Sequence, residues 1–298
     1  MKTIQGGDFL SEKMSEVYEA YDMEILGAVR GRGSMILKTD RGIRQISPFD
    51  GSEERLEQER EFKENLYETG FHHIDCCVPN REGELITCDR YGNPYVMREY
   101  FEGRECNSGS ICDLNQAAAN LAVFHIRGRE LYAKEGRTYA YREPGNFRRK
   151  TQEMKKIRSF ISKRPTKNDF ELLYIEAYDA FYRQAIDCQA MMDACDRTNI
   201  AGHIGYCHGA YNYHSVLFCG GYLATVNFDR FHVGYQLIDL YQFIRKVMEK
   251  NNYNFNMAVK IIEEYDRILP LTGEDYRYIY ILYSYPEKFW KVSNRYMN

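Results

Sequence analysis

The sequence lacks any long apolar segment. No run of about 18 apolar residues, the length that a membrane-spanning helix needs, occurs in the 298 residues. Residues 1–8 contain neither an apolar stretch nor a small-residue cleavage site, so they do not predict a signal peptide. We therefore expect no membrane partner and no export signal.

A strong excess of one charge is also missing. The chain has 40 Lys and Arg against 43 Asp and Glu, and its formal net charge is -3. Proteins that bind nucleic acid through bulk electrostatics carry a marked positive excess. The balance predicts neither a nucleic-acid partner nor a charged membrane surface as a partner.

The cysteines form neither a disulfide framework nor a metal-binding pattern. There are nine, an odd number, and none stands in a C-x-x-C spacing, which indicates free thiols in a reducing compartment and predicts a cytoplasmic protein. His72-His73 and Cys76-Cys77 are crowded pairs rather than separated ligand pairs, so no metal site is predicted.

What the sequence does contain is typical of a folded globular protein. Hydrophobic residues make up 44% and charged residues 28%, which is enough apolar material for a buried core. Tyrosine is abundant, with 26 residues beside a single Trp, and such side chains suit partly exposed aromatic surfaces. The length allows two modest domains or one large one.

The first part of the chain predicts a small β-rich lobe. Residues 1–20 show helical amphipathicity, and residues 52–67 form a second helix that Asp50 or Ser52 caps and Gly70 ends. Short strands separated by turns are predicted at residues 23–25, 35–37, 43–46, 84–88 and 95–100. We interpret Gly31-x-Gly33 as a basic hairpin turn, with a phosphate-binding loop as the alternative.

After Gly103 the pattern becomes helical. Helices are predicted at residues 113–127, 146–161, 169–192, 236–250, 257–268 and 274–284, with one hairpin at residues 216–226. The expected fold class is therefore α+β, with an N-terminal lobe at residues 1–103 and a helical C-terminal lobe at residues 104–298.

A loop before the hairpin is the segment that points to chemistry. It reads His208-Gly209-Ala210-Tyr211-Asn212-Tyr213-His214-Ser215, and Val226-Asn227-Phe228-Asp229 follows the hairpin. In phosphoryl transfer by kinase-like proteins, a loop Asp orients the acceptor hydroxyl, an Asn binds metal, and an Asp after the hairpin holds magnesium. The layout here matches, but the residues at those positions differ.

The chain resembles the CotS spore-coat family, a branch of the aminoglycoside phosphotransferase and choline-kinase side of the protein kinase-like fold. The residues that carry the resemblance are the loop 208–215, Val226 to Asp229, Asp239-Leu240, the strand and hinge 95–103, the helix end 121–125 and the segment 285–291. Their order and spacing span nearly the whole chain.

The resemblance implies a bilobal fold and several residue roles. His208 and Asp239 would tether the loop structurally, while Glu99, Tyr100 and Asp229 are the nucleotide-binding candidates. It also implies a sporulation-associated protein in the mother cell or spore coat of a spore-forming bacterium, with other spore-coat or sporulation proteins as partners.

The departures from the family pattern argue against catalysis. Ala210, Ser215 and Asn227 stand where an acid, an amide and a second acid are expected, so no catalytic residue and no metal site are predicted. Ser47 takes the position of the phosphate-binding lysine, although another register would place Arg44 or Lys38 there. ATP and magnesium are therefore not expected as cofactors.

Two further features stay open at this stage. Arg98 would lie at the back of an adenine pocket and would need an acidic partner there. The glutamates of the helix 52–67 form a solvated face, or one of them pairs with a strand cation as in kinases. Three functions follow: a pseudokinase that acts by binding, an active small-molecule phosphotransferase with a metal site built on Asp229, or an ATP-binding sensor.

Overall fold

The structure is a computed structural model that describes residues 12–31, 33–136, 146–195 and 202–297. Its small lobe is an antiparallel sheet of six strands in the order β1-β2-β3-β6-β4, with β5 also paired to β6. The strands are β1 Ile25–Arg30, β2 Met35–Thr39, β3 Gly42–Pro48, β4 Cys77–Val78, β5 Ile86–Cys88 and β6 Pro94–Glu99. The two-residue β4 is too short to show an alternating pattern, and the sequence did not predict it.

Two helices cover the opposite faces of this sheet. Helix α1, Glu12–Glu19, is followed by Tyr21, and Val17 and Tyr21 pack on Leu37 and Ile46. Helix α2, Glu53–Glu68, places Leu56 against the other face. The opposite faces arise because neighbouring residues along a strand point to opposite sides. The first part of the helix predicted at residues 1–20, residues 1–11, lies outside the described residues.

Helix α2 begins where its capping residue predicts. The Ser52 side chain accepts a hydrogen bond from the backbone N–H of Arg55, and Glu53 and Glu54 lie in the first turn. The hydroxyl satisfies one of the free amides, and the carboxylates oppose the positive end of the helix dipole. Gly70, with φ of 94°, follows the end of the helix.

The large lobe is mainly helical. Its helices are α3 Ile111–Glu135, α4 Phe147–Lys163, α5 Asp169–Asp193, α6 Leu237–Lys250, α7 Phe255–Ile268, α8 Gly273–Ser284 and α9 Glu287–Met297. The sequence predicted all of these except α9, which starts directly after Pro286. Within the described ranges, no helix is both long enough and apolar enough to cross a membrane.

Short strands in the large lobe hold the candidate loop. They are β7 Arg104–Glu105, β8 Ile204–Cys207, β9 Val216–Phe218, β10 Leu223–Thr225 and β11 His232–Tyr235. The predicted hairpin corresponds to β9 and β10, and β7 extends it to three strands. Strands β8 and β11 pair on either side of the loop and hairpin, so both ends of this segment are fixed.

Helix α2 also joins the two lobes. Phe62 and Leu66 belong to the core of the large lobe, and both are buried. The Phe62 ring stacks on Tyr206 at 4.6 Å and on Phe231 at 4.7 Å between ring centroids. The lobes therefore share one core, and α2 is its connecting element.

We expect Phe62→Ala to lower the free energy of unfolding by about 3–5 kcal/mol, because it removes a buried ring from this shared core. Urea denaturation followed by tryptophan fluorescence and circular dichroism measures the loss. Phe255→Ala is the control, since Phe255 is 70% exposed and its loss should cost within about 0.5 kcal/mol. Equal effects for the two variants would contradict the role of Phe62.

Candidate functional site

The loop 208–215 hangs from a carboxylate at the start of α6. Asp239 Oδ2 accepts a hydrogen bond from the His208 N–H at 2.6 Å, and Oδ1 accepts one from the Gly209 N–H at 2.9 Å. Burial would raise the pKa of Asp239, but the hydrogen bond and charge of His125 and the His208 amide hold it below its usual value. The ionised carboxylate thus fixes the loop from below.

His208 closes the loop from above. Its Nε2 lies 3.1 Å from the Val226 carbonyl, and its Nδ1 accepts a bond from the Ala210 N–H at 3.3 Å. This pattern assigns the ring proton to Nε2, and burial lowers the pKa of His208. Gly209 has φ of 78°, and a Cβ there would lie 2.0 Å from the Arg230 carbonyl oxygen, so only glycine fits.

The two loop positions that depart from the family pattern, Ala210 and Ser215, offer no free side-chain group to a metal or an acceptor. Ala210 offers a methyl group where the acceptor-orienting acid is expected. The buried Ser215 hydroxyl donates to the Asn212 carbonyl at 2.8 Å and accepts from the Asn212 N–H at 2.9 Å. Asn212 itself spends its side-chain amide on the Ala210 carbonyl, 2.7 Å away. These groups stabilise the loop internally.

The position after the hairpin is occupied by an amide. Asn227 has a left-handed backbone, with φ of 69°, and its N–H donates to Asp75 Oδ2 at 3.0 Å. Asp229 is exposed two residues further on. The carboxylate that binds the backbone at this position therefore comes from Asp75, in the segment before β4, and the sequence did not predict this.

Asp75 belongs to a buried cluster of four charged side chains. Lys63 on α2 is fully buried, and its Nζ lies 2.6 Å from Glu59 Oε1 and 2.8 Å from Asp75 Oδ1. Arg98 on β6 places Nη2 3.2 Å from Glu59 Oε2. We call Glu59, Lys63, Asp75 and Arg98 the buried charge cluster. Its two cations and two carboxylates neutralise one another.

The pKa values in this cluster favour the charged forms. Burial would lower the pKa of Lys63, but the charges of Asp75 and Glu59 raise it above its usual value. Burial would likewise raise the pKa of Glu59, and the charges of Lys63 and Arg98 hold it low instead. Since an unpaired charge in the interior is costly, each member requires the others.

Ser47, Arg44 and Lys38, the three residues considered for the phosphate-binding position, lie outside the buried charge cluster. Ser47 on β3 pairs with Val96 and contributes no charge. The Arg44 guanidinium donates to the carbonyls of Ile43 and Arg41, and Lys38 is exposed. The cations that reach the α2 glutamate come instead from α2 itself and from β6.

The α2 glutamates divide between two environments. Glu53, Glu54, Glu61 and Glu64 are exposed, as the solvated-face interpretation predicts. Glu59 is 5% exposed, so that interpretation is wrong for this residue. The sequence did contain a signal: Glu59 and Lys63 share the helical stripe of Leu56 and Leu66, the buried face of α2.

The hinge residues are used by the sheet. The Glu99 N–H donates to the Cys76 carbonyl at 2.9 Å, and the Tyr100 N–H donates to the Ile43 carbonyl at 3.2 Å. The Glu99 side chain lies on the face opposite to Arg98, and burial raises its pKa. Arg98 has the acidic partner that its position required, so it stays charged on the inner face of the sheet.

Beside Arg98, polar side chains of the small-lobe sheet hydrogen-bond to one another. Gln45 is paired between Ile36 and Arg98, and its side-chain amide donates to Ser34 Oγ at 2.8 Å. Gly31 donates to the Ser34 carbonyl at 2.8 Å, which makes the β1–β2 connection a hairpin turn. The turn is thus hydrogen-bonded to the sheet floor beneath it.

The residues present do not fit a nucleotide-bound magnesium ion. This hard cation prefers charged oxygen ligands, but Asn227 is neutral, and Ser215 and Asp75 already have internal partners. Only Asp229 offers an exposed acid at this end of the loop. Across the described ranges, no three His, Cys, Asp or Glu side chains are grouped to hold a metal ion.

The comparison with protein families shows which family the chain belongs to. Residues 14–298 match the family described as "Spore coat putative kinase YutH". The chain belongs to this spore-coat kinase-like family. The resemblance to the CotS spore-coat family is thereby confirmed. No curated protein sequence matches the chain.

The solved structures confirm the kinase-like fold of this spore-coat family member. An aminoglycoside phosphotransferase from Alicyclobacillus acidocaldarius superposes with a TM-score of 0.78 at 16% identity, covering 97% of this chain and 86% of that chain. The spectinomycin phosphotransferase APH(9)-Ia gives 0.63 at 10% identity, covering 90% and 84%. Amicoumacin kinase hAmiN gives 0.55 at 12% identity, covering 93% and 85%. At these identities the likeness shows the fold alone.

We expect Lys63→Met to destabilise the protein by about 3–5 kcal/mol, because it leaves the buried Asp75 carboxylate without a counter-charge. Chemical denaturation measures the loss, and adding Asp75→Asn to the same chain should recover part of it. Lys38→Met, which removes an exposed lysine, should change stability by no more than about 0.5 kcal/mol. If Lys63→Met were as stable as the wild type, the lysine would not be a structural counter-ion.

Stability should fall on acidification below about pH 6.5. Burial lowers the pKa of both His125 and His208, so the unfolded chain binds more protons than the fold in this window. Each histidine contributes a slope of at most about 1.4 kcal/mol per pH unit. The stabilisation is complete above the unfolded pKa and is lost as the pH falls through it.

The free energy of unfolding, measured by urea denaturation between about pH 7.5 and 5.5, checks this slope. His125→Gln should flatten the dependence, whereas His232→Gln, at an exposed histidine, should leave it unchanged. Identical slopes for both variants and the wild type would contradict the assignment.

Proposed function

We propose that this spore-coat kinase-like protein is a pseudokinase that acts by binding rather than by phosphoryl transfer. The observation that carries the proposal is the buried charge cluster together with a loop, 208–215, that lacks the expected acid and amide. Lys63 is fully buried, and its ammonium group is paired with the carboxylates of Glu59 and Asp75. A phosphate would have to displace those carboxylates.

The magnitude of the losses supports this proposal. Removing one group that stabilises developing charge typically costs about 3–4 kcal/mol of transition-state stabilisation. Here the acceptor-orienting acid, the metal-binding amide and the magnesium-binding acid are replaced by Ala210, Ser215 and Asn227. Such losses are not additive, but together they leave no group at those positions to orient an acceptor or to hold a dication.

The fold and the family lead to the proposed setting. The family description places its members in the spore coat, and we propose that this chain contacts other spore-coat or sporulation proteins of a spore-forming bacterium. A protein without catalysis would keep the kinase-like fold as a rigid scaffold for such contacts.

One observation favours an active phosphotransferase as the second candidate. Asp75 Oδ2 lies 3.0 Å from the Asn227 N–H, so an acid does stand beside the eroded position. With Asp229 it would supply two carboxylates for a rearranged metal site. This candidate requires Asp75 to leave Lys63, which would then have only Glu59 as its carboxylate partner.

A thermal-shift titration distinguishes the candidates. A ligand that binds the fold raises its stability by mass action, by about 2.7 kcal/mol at 100 times its Kd. We expect ATP at millimolar concentration to leave Tm unchanged, with or without magnesium, because the hinge amides and Lys63 are already occupied. Magnesium chloride alone and inorganic phosphate serve as controls for non-specific ionic stabilisation.

A magnesium-independent shift would instead favour an ATP-binding sensor. A magnesium-dependent shift, with phosphate transfer to a small hydroxyl or amine acceptor that Asp229→Asn abolishes, would show an enzyme. Either result would contradict the proposed pseudokinase.

A further inference from the structure

A second concave site lies in the large lobe, away from the loop 208–215. It is a groove of about 530 Å³ between α5, α6 and α9, and no residue of the loop lines it. Its walls include Leu173 and Phe181 from α5, Tyr241 and Met248 from α6, and Phe289 and Val292 from α9. We call this site the α5–α9 groove.

The groove exposes apolar side chains that a soluble protein normally buries. Leu173 is 65% exposed, Tyr253 59%, Val292 45% and Phe181 36%. A contiguous apolar patch of this kind, gathered around a cavity, marks an interaction surface. Large aromatic and aliphatic side chains around a pocket also provide the anchor points on which binding energy concentrates.

The floor of the groove is formed by stacked aromatic rings. Tyr174 stacks on Phe289 at 4.9 Å between ring centroids, and Phe181 stacks on the same ring at 4.5 Å. The Tyr283 hydroxyl donates to the Tyr241 carbonyl at 3.4 Å. A preformed surface loses little conformational freedom on binding, so more of the contact energy appears as affinity.

The edge of the groove carries an excess of positive charge. Lys288 on α9 lines the groove, Lys291 and Arg295 follow on the same helix, and Lys246 lies on the lining helix α6. None of the four forms an ion pair in the part of the chain that the structure describes. Burial and then the charges of Lys246, Arg245 and Arg295 lower the pKa of Lys291, and the charge of Glu249 opposes them.

The acids of the groove are already neutralised. Glu249 lies 3.2 Å from the Arg245 guanidinium, and Glu287 lies 2.5 Å from Lys150 Nζ. Lys246, Lys288 and Arg295 are exposed, and none of the three has an ion-pair partner among the described residues. A partner that brings carboxylates to this edge would pair with these cations while its apolar side chains fill the groove.

We propose that the α5–α9 groove docks a segment of a partner protein that carries apolar or aromatic side chains flanked by acidic residues. The proposal rests on the proposed function, because it names the surface through which a protein without phosphotransfer would act. Residues 285–289 of the segment that the resemblance singles out line this groove.

The probe is a fluorescein-labelled helical peptide of about twelve residues, with Leu and Phe on one face and Glu elsewhere. We expect saturable binding by fluorescence anisotropy, at micromolar Kd and weakening with salt. A twin peptide with Lys in place of Glu should bind at least about tenfold more weakly.

Two pairs of variants locate the binding. Leu173→Asp and Lys291→Glu should each weaken it about tenfold or more. Their controls are Leu26→Asp and Lys38→Glu, which change exposed residues of the small-lobe sheet and should bind like the wild type. Unchanged Tm values show that each variant is folded.

The proposal is overturned if the acidic peptide does not bind, if its basic twin binds equally well, or if the groove variants bind like their controls. It is also overturned if sedimentation shows a dimer that Leu173→Asp dissolves, because the occupant is then a second copy of this chain. An ATP-induced thermal shift together with peptide binding would reject the pseudokinase and keep the groove. No ATP-induced shift together with no peptide binding would reject the groove alone.

Discussion

The burial of the Lys63 ammonium is the constraint on which the arrangement of this molecule depends. A cation without access to water must be held between opposite charges, and here Glu59 and Asp75 supply them. Glu59 in turn holds Arg98 on β6, and Asp75 holds the backbone of Asn227. The Lys63 charge thus connects α2, the sheet, the segment before β4 and Asn227, which follows β10. Each charge of the cluster therefore has a partner inside the protein.

The sequence predicted the long elements and missed the short ones for a physical reason. Amphipathic periodicity is strong in a helix such as α6, so its bounds followed closely from the pattern. Strands β4 and β7 have two residues each, which is too short for any alternation, and only their partners across the sheet define them. The Glu59–Lys63 pair of the buried charge cluster was missed because an i,i+4 Glu–Lys pair resembles an ordinary solvent-exposed pair. Only the apolar stripe on which it lies distinguishes it.

The loop shows which residue types the fold requires and which only the chemistry requires. Asp239, His208 and Gly209 remain because each satisfies a backbone group or a steric limit that no other residue type would meet in the same way. Ala210 faces no such demand, and Ser215 meets its own by bonding to Asn212. Loop geometry can therefore persist after the catalytic acids are lost. A retained loop is evidence of the fold rather than of activity.

Helix α6 explains how a binding surface can coexist with this fold. Its first turn holds Asp239, the buried tether of the loop, while Tyr241, Arg245 and Met248 further along the same helix line the α5–α9 groove. The spacing of these three residues places them on one side of the helix. One helix therefore contributes both to the loop tether and to a wall of the groove. Because no residue of the loop 208–215 lines the groove, the binding proposed there does not depend on phosphotransfer.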